Sequence, residues 1–559
     1  MPLRHRPHRV ILVPLDDRPC SVKMPRLLAR MVDYELVMPS LEVLGQFGTP
    51  GQPDHIAAWL LEQLGEPADC AILSLDMLAY GGLTASCTSG TRTQLALERL
   101  DILARIRAAA PSMPIFASSS IMRLSTTTSS DDTAQYWEAL RRYAVTAGRA
   151  AETNDDPQLA AELERLERGL PAAILGEYSA IRARNHEVNL RAIHEVADGN
   201  IDFLLLGQDE GGRHGLHIGE QTALVADLDR LGLRERTLIC SGIDEATELL
   251  LARFIHKHME KVPLIRVIYS NPDDADMIPA EENRPFAEAV GALVEAVGAK
   301  LTSDRETADL TLVVNTPAPQ PRAAYKAPGA RRERSRELAD FIDQIDMSGT
   351  GRGLAICDAA FPMGADDIFA ETLLSSGITI PRLLSFAASG TASSALAKCL
   401  AHSSLRLIAL QDKGAFDLAH AIGELSPMRY LALLNSLIDA EKAHIEFLFQ
   451  CFIKDWLFQT RVRPRATAHV ARLVRAAQFD LTACARYAED IVHDRIAHAA
   501  ADLWIESFLG RDCAEIGPDE YRSRLTLAEL EETRARLPWR RLAEVDVDLE
   551  FGVQLDAEA

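Results

Sequence analysis

The cysteines of this chain form no paired motif. All nine stand singly, at 20, 70, 87, 240, 357, 399, 451, 484 and 513, so no CxxC spacing pre-forms a zinc knuckle or a dithiol couple, and they read as reduced, mostly buried thiols. Long apolar runs are missing too. Nothing reaches the 18 residues of a membrane-crossing helix, and the basic start MPLRHRPHRVILVPLDD loses its apolar stretch at Leu15, short of a secretion-signal core. The expected location is the cytoplasm, with no membrane partner. Positive charge is scarce: 59 Lys plus Arg stand against 81 Asp plus Glu, a formal charge of -22, which repels a nucleic-acid backbone. Nucleic acid is therefore not an expected partner, whereas an oligomer stays open.

What is present is a rhythm of short Val/Ile/Leu runs, each of strand length and each followed by helical pattern. They are VILVPL (10–15), YELVMP (34–39), CAILSL (70–75), PIFASS (114–119), DFLLLG (202–207), TLICSG (237–242), LIRVIYS (264–270), LTLVVN (310–315), LAICD (354–358), RLLSFA (382–387) and LRLIAL (405–410). The class is α/β with mainly parallel sheets. At 559 residues, three domains are expected: a TIM-barrel-like or parallel-sheet α/β domain over 1–260, a second α/β domain over 261–420, and a mostly helical domain over 421–559. The last boundary rests on the absence of glycine between Gly423 and Gly510. Only VDVDLEFGV, near the end, alternates like an edge strand. An insertion over 124–200 opens with STTTSSDDT and continues as two or three helices, and TPAPQPRAAYKAPGARRER (316–334) reads as a solvated loop. His256 and His258 read as surface residues of a helix.

In parallel sheets and barrels, ligands gather at the carboxyl ends of the strands, where the following loops converge. Those ends are charged here. The first run is followed by Asp16, Asp17 and Arg18, the third by Asp76 and then Tyr80-Gly81-Gly82, the fourth by Arg123, the fifth by Asp209-Glu210-Gly211-Gly212, and the sixth by Asp244-Glu245. Taken singly, such acids often cap a helix or begin one. Their recurrence at successive tips points instead to one polar cleft, because clustered buried charges need a ligand or one another.

The blocks PLDDRPC (14–20), LSLDMLAYGGLTAS (73–86), IMR (121–123), RARNHEVN (182–189), GQDEGGRHGLHIGE (207–220), GIDEATELLLAR (242–253) and VVNTP (313–317) together resemble a widespread bacterial family classed as a domain of unknown function. The resemblance runs to about residue 470. It implies sugar processing and adds Asn185, His186 and Asn315 to Asp16, Asp17, Arg18, Asp76, Tyr80 and Arg123 as substrate-binding candidates. It also implies that the acid pair at 244–245 is steadier than that at 209–210, where relatives more often carry two aspartates. Two blocks depart from the family pattern. SFAASGTASSALAK (385–398) stands where relatives carry an aromatic-Gly-Trp-Asn-Thr block and a later Asn, and Ser86-Cys87 stands where they carry Ser-Arg.

Paired carboxylates at strand tips suit glycosidic cleavage, in which one acid protonates the leaving oxygen and a second group stabilises or attacks the oxocarbenium-like centre. The expected activity is a glycoside hydrolase on a small glycoside or oligosaccharide, with Asp244, Glu245, Asp209 and Glu210 as catalytic residues and neither cofactor nor metal. The Gly-x-Asp-Glu tips at 207–210 and 242–245 resemble the active-site strand of substrate-assisted β-N-acetylhexosaminidases, which would make the substrate a β-N-acetylhexosaminide. Two alternatives stand beside it. One is a metal-dependent hydrolase or lyase on a small polar substrate, using Asp209, Glu210, His214 and His217; the other is a non-catalytic sugar-binding or regulatory protein.

Overall fold

The computed structural model describes residues 8–88, 90–126, 131–153, 156–318, 327–347, 353–414, 426–473, 481, 484–516 and 523–557. Six parallel strands form the first sheet: β1 (His8–Val13), β2 (Tyr34–Val37), β3 (Cys70–Ser74), β4 (Ile115–Ile121), β5 (Phe203–Gln208) and β6 (Thr237–Ser241). Their spatial order is β2-β1-β3-β4-β5-β6, with Val10 of β1 opposite Leu36 on one side and Cys70 on the other. The sheet is therefore open, with β2 and β6 as its edges, and the barrel expectation gives way to the parallel-sheet one. The reason is the reversal at β1: a barrel needs sequential order and pairing of last strand with first, whereas this order winds helices onto both faces.

The second sheet repeats the plan. Its strands β7 (Leu264–Tyr269), β8 (Lys300–Leu301), β9 (Leu310–Asn315), β10 (Gly353–Asp358) and β11 (Ser385–Ala387) are parallel and lie in the order β8-β7-β9-β10-β11. A third, antiparallel sheet joins β12 (Asp512–Ile516), β13 (Ser523–Arg536) and β14 (Asp546–Ala557). The alternating segment near the end is β14, an edge of this sheet that pairs with β13 alone.

Ten helices carry the argument: α1 (Pro19–Met31), α2 (Asp131–Glu152), α3 (Pro157–Gly169), α4 (Ala172–Ala197), α5 (Leu216–Leu231), α6 (Ala246–His258), α7 (Pro328–Met347), α8 (Ala392–Gly414), α9 (Pro427–Cys451) and α10 (Ala485–Ser507). Helices α2 to α4 are the insertion. LRLIAL at 405–410, expected as a strand, lies inside α8, because an apolar run buried on all sides reads the same in either conformation. The expected loop at 316–334 becomes helical from Pro328, and Arg331 and Arg334 are tied to Asp366 and Asn315 rather than solvated. Residues 319–326 of that stretch, and Gly423, lie outside the described residues.

One buried apolar cluster runs from β1 through α6 and the second sheet to α9 and β14. Helix α6 packs against both α1 and α8, and so is buried around most of its circumference. Leu249, Leu250 and Leu251 are all at most 2% exposed, each contributing about 1.5–3 kcal/mol by burial. The same packing corrects His256, which is buried and has Nδ1 2.6 Å from the carbonyl of Val297, while His258 is exposed. Helices α8 and α9 are joined by a fully buried fork, Arg406 Nη1 donating to Glu441 Oε2 at 2.6 Å and Nη2 to Oε1 at 2.8 Å.

Candidate active site

The two parallel sheets bring their carboxyl ends to a cavity of about 340 Å³. The tips of β4, β5 and β6 supply Arg123, Asp209, Glu210, Asp244 and Glu245, and the loop after β1 supplies Arg18. The opposite wall comes from the segment after β11 with the start of α8, and from Phe452–Val462, which is wound as a π-helix. Such π segments are rare and concentrate at functional sites, because the extra residue per turn re-aims side chains. The loop between β13 and β14 closes a third side with Trp539 and Glu544.

Glycine makes the close approach of strand tips to α8 possible. A Cβ on Gly207 would meet the Gly242 carbonyl at 2.4 Å, and one on Gly242, which has φ of 86°, would meet Ser394 Oγ at 2.5 Å. Four of the eight described non-glycine residues with positive φ line this cavity: Glu210, Glu281, Met363 and Trp539. Backbone strain of this kind persists only where the surroundings over-determine it, and it gathers at functional sites.

The charges form a chain of pairs. Asp16 accepts hydrogen bonds from Ser21 Oγ at 2.7 Å and from Arg18 Nε at 2.8 Å. Arg18 then spans to Asp244, donating from Nη2 to Oδ1 at 2.6 Å and from Nη1 to Oδ2 at 3.2 Å. Its guanidinium lies 5.0 Å from the centre of the Trp539 ring, whose Nε1 donates to Asp17 at 2.6 Å. Arg123 Nε donates to Asp209 at 2.7 Å, and its Nη1 lies 3.6 Å from Glu210. Lys398 Nζ lies 3.2 and 3.3 Å from the two oxygens of Asp455, and Lys454 Nζ 3.2 Å from Glu544.

This arrangement separates neighbouring acids. Burial pushes Glu245 up to about 7, with Lys398 opposing, Asp244 adding repulsion and the Ser394 hydroxyl pulling it back; its Oε2 has no hydrogen-bond partner. Burial would raise Asp244 also, but the field of Arg18 and its hydrogen bonds more than offset that and hold it below the usual carboxylate range. Asp209 is raised by burial, against the pull of Arg123. One turn behind Glu245, Glu248 is wholly buried with neither carboxyl oxygen hydrogen-bonded, and burial lifts it to about 8.

With this geometry in view, residues 10–548 match the sequence profile of the family described as protein of unknown function, DUF4127. The chain belongs to the DUF4127 family. No curated protein matches it.

In this DUF4127 chain the sequence candidates fall into two groups. Arg18, Arg123, Asp209, Glu210, Asp244 and Glu245 share the cavity wall, with Asp16 and Asp17 immediately behind it. The rest do not reach it. Asp76 is buried against Ser120, whose backbone N–H donates to it at 2.9 Å, and burial raises it to about 6. Tyr80 is buried beneath the Arg184 guanidinium, 4.5 Å from its ring centre, and Asn185 donates to the carbonyl of Ser86 at 3.0 Å. His186 is half-buried on α4. Asn315 sits at the tip of β9 in the second sheet, donating to Asp358 at 2.8 Å. These family blocks hold the fold around the cleft.

The metal candidates separate likewise. His214 Nδ1 lies 2.8 Å from Glu152 and His217 Nε2 2.9 Å from the Gly212 carbonyl, so neither joins Asp209 and Glu210. Burial also lowers His217 to about 4. Lys398, Lys454, Asp455, Trp539 and Glu544 were not foreseen. Lys398 closes the departed SFAASGTASSALAK block, and that departure was the available signal.

Proposed function

We propose that this protein is a glycoside hydrolase in which Glu245 is the general acid and Asp244 the anionic partner, with Asp209 and Glu210 binding sugar hydroxyls or polarising water. One observation carries the reading: adjacent acids in a shared cavity have their proton affinities driven apart, Glu245 upward by burial and Asp244 downward by Arg18. A group that must hand a proton to a leaving oxygen near neutral pH needs the first condition, and a group that stabilises positive charge at the anomeric carbon needs the second.

The cavity's size and composition support a small polyhydroxylated ligand. About 340 Å³ suits one or two sugar rings, and its wall offers fixed charges that accept and donate hydrogen bonds. We favour this over metal chemistry at Asp209, Glu210, His214 and His217 because neither histidine lines the cavity with the two acids. Three domains, with the cleft formed between the two α/β units and the C-terminal hairpin, and a cytoplasmic location remain part of the proposal.

The test is a panel of 4-nitrophenyl α- and β-glycosides of neutral hexoses and N-acetylhexosamines. Turnover of at least one, retained after dialysis against a chelator, is the expected result. No turnover across the panel, with sugars still bound, moves the assignment to a non-catalytic sugar-binding protein; a rate lost with chelation while the fold stays intact moves it to metal chemistry.

A further inference from the structure

Away from the cavity, at the amino-terminal ends of β1 and β3, three donor side chains from distant parts of the chain converge. They are His8, which begins β1, Asp69, which precedes β3, and His258, the last residue of α6. One ligand atom of each lies within 4.8 Å of the other two. His8 Nδ1 stands 3.2 Å from Asp69 Oδ2. That is about the separation of two ligands sharing one tetrahedral ion at bond lengths of roughly 2.0–2.1 Å.

The surroundings hold these donors in place. Asp69 Oδ2 also accepts the backbone N–H of Arg9 at 2.8 Å, which fixes the carboxylate. The phenol of Tyr34 lies 3.1 Å from His258 Nδ1, and its ring stacks on His8 with centroids 4.6 Å apart. The two imidazoles meet edge to face at 4.5 Å. His258 also ends α6, where the helix dipole favours positive charge.

We propose that His8, Asp69 and His258 bind one divalent transition-metal ion, with zinc the best match to two imidazoles and a carboxylate, and with Tyr34 orienting His258. Three protein ligands leave a fourth position for water. The site is separate from the proposed chemistry: Glu245 flanks the start of α6 and His258 ends it, about 20 Å away at 1.5 Å per residue. Its effect is to fasten the first strand to the far end of the helix that carries Glu245. The three ligands share no motif spacing, which is why the sequence pattern did not bring these three together as a metal site.

The test uses the full chain, stripped with a chelator and titrated with zinc chloride in a calorimeter. One ion is expected to bind, to raise the thermal midpoint, and to bind at least about ten-fold more weakly in H8Q and in H258Q. Cobalt in place of zinc is expected to give visible absorption of a four- or five-coordinate ion in the native chain and to lose it in H258Q. H214Q, at the exposed His214–Glu152 pair, is expected to keep full binding. No uptake at micromolar zinc, or uptake that survives both H8Q and H258Q, overturns the proposal. So does a loss confined to H214Q.

Discussion

Glu245→Gln is expected to lower kcat/KM for an aryl glycoside with a poor leaving group by about 10²–10⁴, while a dinitrophenyl glycoside loses less than about ten-fold. The amide keeps the shape of the side chain but has no acidic proton to give. A poor leaving group needs that proton as its bond breaks, whereas a good one departs as an anion. The alternative is that Glu245 only begins α6, next to Ala246. A purely structural role would depress both substrates alike, so equal losses, or none, remove Glu245 as the acid.

Stability is expected to fall as pH rises from about 5 to about 8.5, and Glu248 is a main cause. Its carboxyl is raised to about 8 in the fold, first by burial and then by repulsion from Glu245 and Asp455, against the pull of Lys398 and Lys454. In the unfolded chain the group titrates near 4.3. Folding therefore takes up a proton, and the stability this contributes is fully present below the unfolded value and lost as pH climbs to the folded one. Glu248→Gln cannot ionise. Measured by denaturant unfolding, the difference between variant and parent should move in the variant's favour by about 2–3 kcal/mol across that window, roughly half the full linkage, since buried groups relax. A difference that stays flat with pH would show that Glu248 is not held protonated.

The parts of the fold that were legible in sequence were those fixed by local pattern. Val10–Val13 and Leu204–Leu206 are too short for ordinary helices and too apolar for edges, and both are buried strands. Strand order was not legible, because pairing of β1 with both β2 and β3 is a long-range choice that leaves the same apolar runs in place. That is how a barrel and an open sheet remained indistinguishable. The charged tips at 16–18, 123, 209–210 and 244–245 were readable because a buried strand running into charge is costly without partners. Asp76 broke the same rule for a local reason, being satisfied by Ser120 of the neighbouring strand. The far wall was hidden. Lys398 and Asp455 sit in α8 and the π-helix, where a lone charge looks like any solvated helical face until the packing is known.

The central claim is that Glu245 is held protonated close to neutrality and spends that proton in catalysis. The most direct measurement is the pH dependence of kcat/KM for a poor-leaving-group aryl glycoside, in the native chain and in E245Q. The native profile should fall on its alkaline side with an apparent pKa of about 7, reporting the acid of the free enzyme, and that limb should vanish in E245Q. An alkaline limb that persists unchanged in E245Q, or native activity that keeps rising past pH values well above 7, would contradict it.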